Sequence, residues 1–134
     1  MSTDHRAAID GSHVILYSTN PDADRAFFRD VLGLPHVDAG HGWLIFTLPP
    51  AEAAWHPTDA PFAMGHGDHS LIGAVVYLMT DDVEAEVKRL TARQVVCSPI
   101  VDERWGRRTS LRLPSGQELG LYQPSHPTAI KSGT

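Results

Sequence analysis

The feature that most constrains this chain is a repeat. A run of β-forming residues at 13–18, carrying Tyr17, leads directly into an acid-rich helix start, Asn20-Pro-Asp-Ala-Asp24. About 60 positions later the same order returns: a run at 73–79 with Tyr77, then Thr80-Asp-Asp-Val-Glu84. The turn at Pro50 falls on the turn at Pro114 when the halves are laid over each other. A chain of 134 residues can bury one real core and is too short for two ordinary domains. The two half-sized copies therefore belong to a single domain.

Each copy reads as one helix among four strands. In the first, Asn20 caps free amides, Pro21 suits the first helical position, and Asp22 and Asp24 meet the positive end of the dipole. Ala23, Phe27 and Val31, with Phe28 and Leu32 beside them, form an apolar stripe that Gly33 and Pro35 end. Strands are expected at 13–18, 36–39, 42–48 and 52–56, with Pro49-Pro50 breaking the last two apart. In the second copy Val83, Val87 and Leu90 make the stripe, and Lys88, Arg89 and Arg93 sit near its negative end. Strands follow at 95–101, 107–113 and 117–122, with Leu113-Pro-Ser-Gly116 as the last turn.

The expected fold is thus α+β: two βαβββ repeats, halves 11–57 and 72–124, forming curled mixed sheets around a pocket. A sheet with a helix on one face must cover the other or line a cavity with it. Residues 1–10 and 125–134 are expected to be loose termini. Residues 57–72 show no period, and His66-Gly-Asp-His69 within them reads as a polar surface loop rather than a preorganised metal site.

Charge and composition remove several function classes. The net charge of −5 comes from mixed acids and bases with no basic run, which argues against nucleic acid. No apolar run approaches the roughly 20 residues that span a bilayer, so no membrane is expected. The first residues do not read as a signal peptide. Cys97, the single cysteine, reads as a strand residue in a reducing, cytoplasmic setting.

Four segments carry a resemblance: His13-Val-Ile-Leu-Tyr17, Ala26-Phe-Phe-Arg-Asp-Val-Leu-Gly-Leu34, Tyr77-Leu-Met-Thr-Asp-Asp-Val83 and Leu111-Arg-Leu-Pro-Ser-Gly-Gln-Glu-Leu119. Together they resemble the glyoxalase, bleomycin-resistance and extradiol-dioxygenase (vicinal oxygen chelate) superfamily, over about residues 13–124. That resemblance implies paired sheets around a small-molecule pocket, and a homodimer. It also implies a divalent metal held from the first and fourth strands of each half. His13 stands at the first of those positions and His56 at the second. The other two carry no donor: residues 73–76 are Gly-Ala-Val-Val, and Gly120 stands where the family has a glutamate.

Alternate strand residues share a face, which extends the candidate set. Ile15 and Tyr17 go with His13, and Glu52 goes with His56. Glu118 and Tyr122 go with Gly120, while Leu119 and Leu121 turn toward the helix. A two-histidine, one-carboxylate site is conceivable from His13, His56 and either Glu118 or Glu52, for iron, zinc, nickel or manganese. There the carboxylate would complete coordination or move a proton. Tyr17, Tyr77 and Tyr122 are the candidate ligand-binding residues. With eight histidines in the chain, some fall at suggestive places by chance. Two readings follow. One is a metal-assisted lyase, isomerase or dioxygenase with a degenerate metal site. The other is a metal-free protein that sequesters a small molecule.

Overall fold

In the computed structural model, which describes residues 8–132, both helices begin where local capping chemistry places them. Helix α1 spans Pro21–Asp30, with Asn20 Oδ1 accepting from Ala23 N at 3.4 Å. Strands β1 (His36–Asp38) and β2 (Leu44–Phe46) follow as an antiparallel pair. A hairpin of β3 (Ala63–His66) and β4 (His69–Ile72) comes next, then β5 (Tyr77–Met79). Helix α2 spans Val83–Ala92, with Asp82 Oδ1 accepting from Ala85 N at 3.0 Å. Strands β6 (Val101–Glu103), β7 (Gly106–Arg112) and β8 (Glu118–Pro124) complete the sheet, and a short α3 (Ala129–Ser132) closes the described chain.

The second half is a βαβββ unit as expected, folded as one mixed sheet in the order β5-β8-β7-β6. The strand expected at 95–101 is displaced to 101–103, and Cys97 makes only an isolated bridge to Leu111. Strand β5 runs parallel to β8, and the other neighbours are antiparallel. One face of this sheet is apolar and carries the core. Leu111, Leu119 and Leu121, with Leu113 just beyond β7, cluster with Val83 and Leu90 of α2 and with Phe27 and Phe28 of α1. Each full burial of such a side chain contributes roughly 1.5–3 kcal/mol. The first half's helix therefore packs into the second half's core.

Two polar links fix that docking. Arg89 Nη1 and Arg93 Nη2, from the end of α2, donate to the carbonyls of Val31 and Asp30 at 3.3 and 3.4 Å, satisfying acceptors that α1 leaves open. Asp24, buried at 8% exposure, accepts from the backbone amide of Ser115 at 3.0 Å in the turn between β7 and β8.

The first half departs from expectation. Residues 13–18 form no strand although their side chains favour one, and 52–56 form none either. A strand needs a hydrogen-bonding edge as well as β-forming residues, and neither segment pairs with another among the described residues. Residues 57–72, read as an aperiodic loop, instead contain the β3–β4 hairpin, turned by Gly67 at φ +62. The C-terminal segment is not loose as far as Ser132. It turns back beside β8, with Thr128 buried. The expectation for residues 1–7 and 133–134 lies outside the described residues. No helix among the described residues is long and apolar enough to cross a membrane.

Candidate aromatic ligand site

The sheet's second face carries the chemistry. In a ladder, residues paired at Cα point to the same side, so register alone assigns this face. Tyr77 pairs with Gly120, Arg108 with Tyr122, Ser110 with Gly120, and Arg112 with Glu118. Tyr77, Glu118 and Tyr122 therefore share the face opposite the helices, while Leu119 and Leu121 lie in the core. The strand parity read from the sequence holds on β8.

Gly120 is central to this face. A Cβ built on it would stand 2.4 Å from Tyr77 Cδ1 and 2.7 Å from Cε1, so the tyrosine ring lies directly over the glycine. Around that contact the rings meet edge to face. Tyr77 and Tyr122 have centroids 5.2 Å apart at 79°, Trp105 and Tyr122 5.2 Å at 73°, and Tyr77 and Trp105 6.1 Å at 75°. Tyr77 and Trp105 each remain 39% exposed. His126 stacks on Tyr122, 5.9 Å away at 30°, and its Nε2 lies 2.9 Å from the Tyr122 hydroxyl. Its Nδ1 lies 2.7 Å from the Pro127 carbonyl, which can only accept. In the neutral ring the proton therefore sits on Nδ1, and Nε2 receives the phenol's hydrogen.

The charges near the rings are largely satisfied. Arg108 Nε donates to Glu103 at 2.7 Å, and Ser110 Oγ donates to Glu118 at 2.5 Å. Burial, the Glu52 carboxylate and Tyr77 together push the Tyr122 phenol above its usual range. Cys97 is also pushed up by burial, which keeps its thiol protonated.

The remaining candidates lie in other settings. His13 is exposed in the unpaired segment, and His56 is exposed with Nδ1 donating to the Pro57 carbonyl at 2.8 Å. Tyr17 bonds through its hydroxyl to His66 Nδ1, and its ring meets His66 rather than Tyr77 or Tyr122. Glu52 uses Oε1 to accept from the amides of Ala129 and Ile130, at 2.8 and 3.4 Å. Sequence reasoning tied neither Trp105 nor His126 to the site. Trp105 lies in the turn before Gly106, and His126 in a segment read as a tail, so neither fell on a strand whose parity could place it.

The donor set does not fit the metal that the resemblance implies. Two of the four positions have no donor side chain, and one of these, Gly120, is roofed by an aromatic ring. Glu52 has committed one oxygen to backbone amides. Among the described residues no three His, Cys, Asp or Glu side chains gather closely enough to hold an ion.

The face is also open in a single chain. Two surface hollows occur elsewhere, about 530 Å³ along α2 between Asp82 and Ala92, and about 280 Å³ between Val31 and Val95. Neither includes a ring of the aromatic cluster.

Residues 12–121 match the sequence profile of the Glyoxalase/Bleomycin resistance protein/Dioxygenase superfamily. No curated protein matches the sequence. Among solved structures, the chain is similar to TnmS3, an antibiotic binding protein from Streptomyces sp. CB03234. The TM-score is 0.62 at 24% identity, over 90% of this chain and 100% of that one. It is similar to a lactoylglutathione lyase from Agrobacterium tumefaciens, with a TM-score of 0.58 at 19% identity over 88% and 96% of the two chains. A glyoxalase/bleomycin resistance protein from Streptomyces sp. CB03234 gives 0.51 at 25% identity over 79% and 93%.

Proposed function

Because the chain belongs to the Glyoxalase/Bleomycin resistance protein/Dioxygenase superfamily, we propose that it uses the superfamily's sheet face to bind and sequester a small molecule without a metal. An antibiotic binding protein and a lactoylglutathione lyase share this fold at 24% and 19% identity, so the fold alone does not choose between binding and catalysis. The observation that carries the choice is the Tyr77 ring lying over Gly120. A position that would need a carboxylate for metal chemistry is occupied by an apolar surface, and ligand sites are mostly apolar with a few polar anchors. Tyr77 and Tyr122 supply the wall, and Glu118 with Ser110 supplies polar anchorage on the same face.

A second copy of the chain encloses this wall. Val14, Ile15, Leu16 and Tyr17 are about half exposed, and Trp55, Phe62, Ile72 and Val75 are more so. Exposed apolar surface on that scale marks an interaction site. Among the described residues, strand β5 leaves one edge of the four-stranded sheet unpaired, and 13–18 is a β-forming segment without a partner strand. The homodimer expected from the resemblance satisfies both. A reducing cytoplasm suits a chain whose single cysteine, Cys97, is a free thiol.

The test is elemental analysis of protein purified without a histidine tag, beside the His13→Ala, His56→Ala double variant. Metal far below one equivalent in both is the expected outcome. Stoichiometric metal in the natural chain that disappears in the double variant would overturn this reading in favour of a metal-assisted enzyme.

A further inference from the structure

Trp105 and His126 are tied into the aromatic cluster by the C-terminal segment, and that segment is anchored by a residue from the other half. Ser125 donates through its amide to the Trp105 carbonyl at 3.0 Å and through Oγ to the Arg104 carbonyl at 3.1 Å. One residue later His126 stacks on Tyr122. Beyond it, Glu52 Oε1 accepts from the Ala129 and Ile130 amides. One stretch of chain thus fixes the turn that carries Trp105, the ring of His126, and its own end against the first half. Resting on the ligand-binding reading above, we propose that Tyr77, Trp105, Tyr122 and His126 form a cradle for an uncharged planar aromatic ligand, and that Glu52 is the positioning residue that holds the cradle shut.

Ring geometry selects the ligand class. Tyr77, Trp105 and Tyr122 meet one another edge to face, each offering a positive edge to a neighbour's negative face. The two half-exposed rings, Tyr77 and Trp105, keep surface turned to solvent. A flat aromatic can stack or edge-pack on that surface, which a saturated ring of the same size cannot do. Charge selects neutrality. Arg108 is matched by Glu103. The acids Glu52 and Glu118 offset Arg112, which stands opposite Glu118 on this face, and Arg104 beside Trp105, so the face presents no net charge to an ion.

Equilibrium dialysis of the full chain with 2-naphthol, decahydro-2-naphthol and 2-naphthalenesulfonate tests this. The planar alcohol should bind more tightly than its saturated counterpart and than the sulfonate. Trp105→Leu and His126→Ala should each weaken 2-naphthol by about threefold to tenfold, the range one aromatic pair contributes. Trp105→Phe keeps a ring and should retain most of the affinity. Glu52→Ala should weaken binding as His126→Ala does, whereas Glu52→Gln keeps an acceptor oxygen and should restore it, with circular dichroism confirming that each variant is folded. Equal binding of the planar and saturated alcohols, or affinity unmoved by the Trp105 and His126 changes, overturns the cradle and leaves metal-free binding standing. Uptake of none of the three probes likewise overturns the cradle, while the metal analysis decides the reading beneath it.

Discussion

The Tyr77 ring occupies the space a side chain at position 120 would need, with Cδ1 2.4 Å from a Cβ built there. Gly120→Ala must therefore move the ring or the strand, and overpacking of this kind costs roughly 1–3 kcal/mol. Tyr77 sits on an edge strand and is partly exposed, so the ring has room to yield and the cost should fall low in that range. Removing the ring should remove the conflict: in Tyr77→Ala, the change Gly120→Ala should be close to neutral. Urea melts of the four proteins give the coupling directly. An equal Gly120→Ala cost with and without the ring would show that the contact is not the cause.

Asp24 and Ser115 join the halves through one buried hydrogen bond of 3.0 Å. Asp24→Ala leaves the Ser115 amide without its partner, a loss of about 1–3 kcal/mol. Asp24→Asn keeps an acceptor of the same shape and should recover most of it. Both melts should remain single transitions, because α1 packs into the second half's core and cannot unfold apart from it.

Alkaline pH should destabilise the fold through two groups. Tyr122 is raised above its ordinary 10.0 by burial, Glu52 and Tyr77, and Cys97 is raised above 9.0 by burial. In each case the folded chain holds its proton more tightly than the unfolded chain. Stability from these groups is full below the unfolded value and is lost as pH rises through the folded one. The urea midpoint should thus fall from about pH 9 upward and fall further beyond pH 10. Cys97→Ala should remove the earlier part of the decline and Tyr122→Phe the later part. A flat midpoint from pH 8 to 11 in the natural chain would contradict both assignments.

What the sequence disclosed divides along the line between local and distant interactions. The cap at Asn20, the acid-rich helix start at 80–84, the stripe ending before Gly33 and the turn at Gly116 depend on neighbours a few residues away, and all stand as read. Parity along β8 also held, because register fixes which residues share a face. The segments at 13–18 and 52–56 were misjudged because β-forming composition says nothing of whether an edge is within reach. The β3–β4 hairpin was missed although Gly67-Asp68 is a turn signal, since its strands hold no regular alternation. Gly120 could be read as a lost ligand from sequence. That Tyr77 covers it could not, because the contact crosses 43 residues between parallel neighbours.

The final expectation concerns the surface left open around the unpaired segment. An isolated two-stranded hairpin is marginal in water, yet β3–β4 is exposed along its whole length and carries Met64, Leu71 and Ile72 outward. Val14 to Tyr17 are similarly exposed, and Tyr17 touches the hairpin through His66. The two segments therefore form one apolar surface, and a second copy can pair with the β-forming stretch while covering it. A stable interface of this type removes about 1,200–2,000 Å² from water. Sedimentation equilibrium should give a dimer at micromolar concentration. Ile15→Lys combined with Ile72→Lys should shift it to monomer and weaken ligand uptake, while the helix–sheet core, which contains neither residue, keeps its circular dichroism signal. A natural chain that sediments as a monomer at every concentration would leave the aromatic face open to solvent and remove the second copy from the site.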